Sequence, residues 1–122
     1  MLNKYKIPTY IASTNIEQMQ QLGYLEETVL LLIMMMEDDA YGFTVSEAYR
    51  DHTGKAISIS AIHTVLSRLE KKGLIQSEMR GATEERGGRR KRSFVPTSDG
   101  KEVITSLKES RQKLWSQIPD LA

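Results

Sequence analysis

The apolar positions of the chain change period along its length, and each change marks a predicted element. Residues 1–12 show no period and read as an arm. Thr14 followed by Glu17 has capping-box spacing, which predicts a short helix running to about Leu22. Beyond Gly23, Leu25, Val29, Leu32, Ile33 and Met36 recur at helical spacing, while Leu30, Leu31, Met34 and Met35 fill the other side. A helix apolar on nearly every side is buried on nearly every side. Tyr24 to Glu37 is therefore expected to cover its own core and also a partner subunit. Asp38, Asp39 and Gly42 predict a turn. Thr44 then caps a second helix through a capping box to Glu47, with Val45, Ala48 and Tyr49 as its inner stripe and Gly54 as its stop. A third helix starts at Ser58 or Ser60, both suitable N-caps, and buries Ile62, Val65, Leu66 and Leu69 before Gly73 ends it.

The period then switches from helical to alternating. Leu74 to Arg80 puts Ile75 and Ser77 on one face and Leu74, Gln76 and Glu78 on the other, a strand pattern. Arg92 to Val95 is a second extended stretch, bounded by Pro96, and the polar stretch from Gly81 to Lys91 between them is centred on Gly87-Gly88. Together they predict a β-hairpin with a long charged tip. A last helix is expected from Thr97 or Ser98 to about Ile118, with Pro119 beyond its end.

This order predicts a mainly α fold with a small β-hairpin (α+β), a winged helix-turn-helix with a C-terminal dimerisation helix. Residues 1–22 form the N-terminal arm with its short helix, 23–97 the winged helix-turn-helix DNA-binding domain, and 98–122 the dimerisation helix. The second and third helices of such a motif cross steeply and leave the third free to enter a major groove. From Ser58 to Lys72 it is about 22 Å long, enough to cross one. Opposite its apolar stripe it carries Ser58, Ser60, His63, Thr64, Ser67, Arg68 and Lys71. Hydroxyls near a helix N-terminus suit phosphate oxygens, because the backbone N–H groups there already favour anions. The same polar stripe also fits a merely solvated helix face.

Charge changes the picture more than composition does. The chain has 122 residues and a formal charge of +1, no cysteine and two histidines, His52 and His63. Without cysteine there is no disulfide, thiolate nucleophile or Cys-ligated zinc, and two histidines exclude most His-based metal sites. Neither a metal nor a cofactor is expected. The +1 conceals a segregation: residues 1–50 carry three bases against seven acids, a net −4, and residues 51–122 carry 14 bases against nine acids, a net +5. Six of those bases, Arg80, Arg86, Arg89, Arg90, Lys91 and Arg92, fall between positions 80 and 92. Charge sorted in this way speaks of partners rather than of fold, and here it points to a polyanion. In the run Arg86-Gly87-Gly88-Arg89-Arg90-Lys91-Arg92 the glycines allow a tight turn and the adjacent cations repel one another unless an external anion relieves them. The other reading is a disordered basic loop with Glu84 and Glu85 as local counterions. The longest apolar run, Val29 to Met36, is far short of the roughly 20 residues that span a bilayer, and no apolar segment follows Lys4 and Lys6, so a cytoplasmic location without membrane contact is expected.

Leu22-Gly23-Tyr24-Leu25-Glu26-Glu27, Ala40-Tyr41-Gly42, Leu66-Ser67-Arg68-Leu69-Glu70-Lys71-Lys72-Gly73-Leu74 and Glu85-Arg86-Gly87-Gly88-Arg89-Arg90-Lys91-Arg92 resemble the PadR family of bacterial transcriptional regulators. Thr97-Ser98-Asp99-Gly100 resembles that family's Thr-x-x-Gly opening of the last helix. The resemblance runs in register over about residues 22 to 118. It implies a homodimeric winged-helix repressor, dimerised by its C-terminal helix and often responsive to a small molecule. The chain departs from the family pattern at His63, where a tyrosine is usual, at Ser93, where the first wing aromatic is usual, and at Pro96, which replaces an apolar residue. Its N-terminal arm is also longer than the resemblance needs.

The last helix supports dimerisation by itself. Ile104, Leu107, Arg111, Leu114 and Ile118 step as a heptad seam. With Trp115, and with Leu30 and Met34 of the apolar first stretch, they are the expected dimer contacts. Arg111 is expected to pair with Glu26 or Glu27 of either subunit. A seam packed only on its own domain is the other reading. Trp115, Tyr24 and Met35 are candidates for an effector pocket, since methionine and tryptophan suit aromatic ligands. In relatives that stack drugs on a tryptophan of this helix, the resemblance aligns that residue with Arg111, not Trp115.

The function expected is a sequence-specific DNA-binding regulator, a repressor on an inverted-repeat operator, with release by a small-molecule effector as an option. A winged-helix protein-interaction module without DNA binding is the alternative. An enzyme is not expected: His52 and His63 have no carboxylate or nucleophile at a catalytic spacing around them.

Overall fold

The computed structural model describes residues 22–80 and 91–121. The expected arm helix from Thr14, and Arg86, Gly87, Gly88, Arg89 and Arg90 of the wing tip, lie outside the described residues. Helix α1 spans Tyr24–Met36 and a 3₁₀ turn Glu37–Asp39 follows it; α2 spans Gly42–Thr53, α3 Ile59–Lys71, β1 Ile75–Arg80, β2 Lys91–Pro96 and α4 Ser98–Ser116.

Helix α1 lies at the centre. Val29, Leu30 and Ile33 are fully buried and join Val45 of α2, Ile62, Leu66 and Leu69 of α3, Leu74 just before β1, Ile75 and Phe94 of the strands and Val103 of α4 in one core. Tyr24, Leu31 and Met35 face outward. The apolar circumference thus divides into a core face and an open face, and the division corrects one expectation. Leu30 offers no surface to a partner, because it is sealed inside its own protomer. Met34 is half-buried against the same core. The expected second face is narrower than the sequence pattern and is carried by Tyr24, Leu31 and Met35.

The starts of α2 and α3 and the end of α2 follow from local hydrogen bonds. Helix α2 starts two residues before its expected cap. Tyr41 is its N-cap, and Thr44, at the third helical position, accepts from the Tyr41 N–H at 2.8 Å and donates to the Asp39 carbonyl at 2.6 Å. Thr44 therefore closes the turn from inside, and Gly42 belongs to the helix rather than to the turn. Gly54 ends α2 in the left-handed region, φ 73°, its N–H donating to the Arg50 carbonyl at 2.9 Å. Of the two candidate serines, Ser58 is the cap of α3 and accepts from the Ala61 N–H at 3.1 Å, while Ser60 lies inside the helix.

Strands β1 and β2 pair antiparallel from Ile75 opposite Pro96 to Arg80 opposite Lys91, so β2 is one residue longer at each end than expected. The Phe94 N–H donates to the Ala40 carbonyl at 2.8 Å and Tyr41 bridges to Ser93, which hangs the wing on the segment that opens α2. Helix α4 is fixed at its start. Thr97 accepts from the Gly100 N–H at 3.0 Å and donates to the Gly73 carbonyl at 2.6 Å, while its own N–H reaches the Leu74 carbonyl at 3.0 Å. Gly100 must be glycine, because any Cβ there would overlap that Leu74 carbonyl oxygen. Val103 and Ile104 are buried and Leu107 is half-buried; from Lys108 onward the helix is exposed. Ile104 therefore packs on its own core, which corrects its assignment to the dimer seam. Among the described residues no helix is long and apolar enough to cross a membrane.

Candidate nucleic-acid interface

Helix α3 turns Ile62, Val65, Leu66 and Leu69 inward, and the polar residues expected opposite them are all exposed: Ser58, Ser60, His63, Thr64, Arg68 and Lys71. Several are held by local bonds. The Ser58 and Ser60 hydroxyls lie 3.3 Å apart, and Thr64 donates to the Ser60 carbonyl at 3.0 Å, which leaves its oxygen lone pairs facing outward. The His63 imidazole lies flush on the first turn of α2, where a Cβ at Gly42 would come within 2.9 Å of Cε1. Glycine at position 42 and histidine at 63 therefore fit one another.

The base of the wing is fastened to α3 by a residue not foreseen from the sequence. Glu70, in the last turn of α3, accepts from the Ser77 hydroxyl at 2.7 Å and the Ser77 N–H at 3.2 Å through one carboxylate oxygen. Its other oxygen lies 3.5 Å from the Arg92 guanidinium. Lys91 stands 5.4 Å from the centre of the Tyr41 ring and Arg92 5.9 Å from that of Phe94, both in cation–π range. Ser93, where the family pattern has an aromatic, is buried and donates to the Glu78 carbonyl at 3.4 Å across the strand pair. Two cations of β2 are thus oriented beside the outer face of α3. An open cavity of about 440 Å³ lies between the start of α2, the start of α3 and β2, with Tyr41, Phe43, Ile59, His63, Lys91 and Arg92 in its lining.

The other side of the molecule is apolar. Leu114, Trp115 and Ile118 are exposed together with Leu121, and Tyr24, Leu31 and Met35 are exposed on α1. Arg111 pairs with Glu27 of its own chain, and Glu26 pairs with Lys72, the C-cap residue of α3, so within the chain Glu27 rather than Glu26 is the partner of Arg111. A second cavity of about 310 Å³ lies between α1 and α4, with Glu27, Leu31, Arg111 and Trp115 among its lining residues. Glu27 Oε1 is buried there without a hydrogen-bond partner. Of the three effector candidates, Trp115 lines this cavity and Tyr24 and Met35 do not. Among the described residues no three His, Asp or Glu side chains converge on a common metal position.

The family model described as the transcriptional regulator PadR-like family matches residues 30–106, from the middle of α1 into α4. An uncharacterised protein of Lysinibacillus sphaericus is 30% identical over 101 residues, covering 81% of this chain and 84% of that one. Among solved structures, a PadR-like transcription factor from Bacteroides fragilis is similar at a TM-score of 0.68 and 20% identity, covering 88% of this chain and 99% of the other. A PadR-like transcriptional regulator from Bacillus cereus is similar at a TM-score of 0.64 and 22% identity, covering 86% and 95%. At these identities the two structures speak for the winged-helix fold.

Proposed function

Because the chain belongs to the PadR-like family of transcriptional regulators, we propose that it binds an inverted-repeat operator as a homodimer and represses transcription from it. The observation that carries this reading is the outer face of α3: Ser60, His63, Thr64, Arg68 and Lys71 are all exposed, with Lys91 and Arg92 oriented on the strand beside them. Thirteen residues of α3 span about 20 Å, which suits a major groove. Ser58, Ser60, His63 and Thr64 sit at its N-terminal half, where base edges and phosphates are approached first. Lys91 and Arg92, with Arg86, Arg89 and Arg90 of the wing tip around Gly87-Gly88, then take the flanking phosphates.

The second copy belongs on the apolar side. Leu107, Leu114, Trp115 and Ile118, with Met34 and the open face of α1, are the surface to be covered, and an inverted repeat requires two-fold pairing there to set the α3 helices about 34 Å apart in successive major grooves. The α1–α4 cavity is the place for a releasing effector: a planar aromatic compound set against Trp115. Such a ligand would act one residue from the Glu26–Lys72 pair, and so on the end of α3.

The test is selection of bound fragments from random duplex DNA, followed by anisotropy titration at low and moderate salt. Selective binding to an inverted repeat, two protomers per site, is expected. Absence of duplex binding even at low salt would overturn the reading and leave a winged-helix protein-interaction module.

A further inference from the structure

The cavity beside α3 contains something that phosphate binding does not require. Phe43 is 64% exposed and Ile59 is 42% exposed, and both line it. Phe43 is the second residue of α2 and Ile59 the first of α3, so two helix starts converge on one apolar wall. His63, braced on Gly42, lies beside Ile59 one helical turn further on. Neither large apolar side chain contributes to the protomer's core. Their exposure costs free energy in water, and an apolar partner would recover it.

The surroundings say what kind of partner fits. Lys91 and Arg92 lie in the same lining, so whatever covers the wall also carries negative charge. That favours a nucleic acid over a peptide segment or a lipid. The N-terminal residues of a groove-bound helix approach base edges, and the 5-methyl group of thymine is the one apolar substituent on the major-groove edge of a base pair. We propose that this cavity is a thymine subsite: Ile59 and Phe43 contact the 5-methyl group, while Lys91 and Arg92 hold the phosphate strand beside it. At about 440 Å³ the cavity is larger than a methyl group and takes the pyrimidine edge with its adjoining sugar. Ile59 and Phe43 are then specificity-determining residues that select a thymine at one fixed position in each half-site. This inference rests on the operator reading above and adds a base to it.

The experiment uses the full chain and an operator obtained by selection. Each half-site thymine is replaced in turn by deoxyuridine, which removes only the methyl group, and binding is measured by anisotropy for the unaltered protein and for Ile59→Ser and Phe43→Ser. Both side chains are exposed, so the variants are expected to fold, and circular dichroism melts verify it. The expected result is one thymine per half-site whose loss of methyl weakens binding about fourfold, the scale of one buried methyl group. In Ile59→Ser that same replacement should have little further effect, because the two changes remove one and the same interaction. Selective operator binding with no half-site thymine, or with none sensitive to deoxyuridine, would overturn the subsite and leave the operator reading standing. A deoxyuridine effect that is unchanged in both variants would overturn the assignment to Ile59 and Phe43. Failure to bind any duplex selectively would remove the operator reading itself, and the subsite with it.

Discussion

The two ends of this protomer solve opposite problems. Along α3 and the wing, Ile59 and Met79 apart, the exposed groups are polar, and several polar groups are pinned by short local bonds: Thr64 to the Ser60 carbonyl, Ser58 to the Ala61 N–H, Glu70 to Ser77. Along the second half of α4 the exposed groups are large and apolar, with Leu114 at 66% and Trp115 at 54% exposure. Outside the small Phe43–Ile59 wall, the first surface is at ease in water and suits exchange of that water for another polar surface. The second is not at ease in water and needs to be covered. The contrast separates the contacts that specify a partner from those that drive association, since buried apolar area supplies most of the driving force and fixed polar geometry most of the selectivity.

The largest expected effect falls on the apolar end. Leu114→Glu combined with Ile118→Glu should raise the dissociation constant of the proposed dimer at least about a hundredfold, since each copy loses two side chains worth about 1.5–3 kcal/mol apiece on burial. The core contains neither residue, so the helical content of the protomer should persist. Sedimentation equilibrium with circular dichroism checks both halves. A double variant that still sediments as a dimer would place the association surface elsewhere.

The polar end should respond differently. Lys91→Ala combined with Arg92→Ala should leave sedimentation unchanged and weaken binding to all duplexes by about tenfold or more at moderate salt. The slope of log affinity against log salt should also fall, by about 0.9 for each phosphate that is no longer neutralised. An unchanged salt slope would show that β2 does not meet the backbone.

How much of each end is legible in the sequence also differs, for a physical reason. The buried stripe of α3 stands out because its other positions are polar, so periodicity alone separates Ile62, Val65, Leu66 and Leu69 from the outer face. In α1 nearly every position is apolar, and no period distinguishes the core side from the open side; Leu30 is therefore expected at an interface and lies in the core. Ile104 misleads likewise, because a heptad seam looks the same whether it meets another helix of its own chain or a second copy. Thr44-x-x-Glu47 matches a cap pattern while Thr44 serves from inside the first turn, hydrogen-bonded to Tyr41. Glu70 leaves no signal, since a glutamate in the last turn of a helix reads as a solvated charge. Ile59 and Phe43 leave the opposite kind, because an apolar residue at a helix start reads as core.

Glu70 ties the two kinds of surface together, and its removal should have an intermediate effect. Glu70→Ala takes away the acceptor for both Ser77 donors and the carboxylate beside Arg92. Hydrogen bonds to a charged group contribute about 1.5–3 kcal/mol, but Glu70 is partly exposed and Arg92 more so, which screens the pair. A loss of about 1 kcal/mol in urea unfolding is expected, with a drop in operator affinity larger than this small destabilisation explains, because the wing is no longer held in register with α3. Equal stability and equal affinity would reduce Glu70 to a surface charge.

The smallest expected effect is at Glu27, where the apolar end carries its one buried polar irregularity among the described residues. Its carboxylate pairs with Arg111 through one oxygen and leaves the other buried without a partner. Arg111 is half exposed, so the pair contributes at most about 1 kcal/mol, and the desolvated second oxygen offsets part of that. Glu27→Gln should therefore change unfolding free energy by less than about 1 kcal/mol and leave α3 and the wing unaffected, because Glu26, not Glu27, reaches Lys72. Ligand affinity in the α1–α4 cavity should change little as well, because the unpartnered oxygen has no surface open to a ligand. Planar aromatic compounds that quench Trp115 fluorescence should bind the variant and the parent protein alike. A loss of their affinity in the variant would show that the Glu27 carboxylate opens to the ligand on binding.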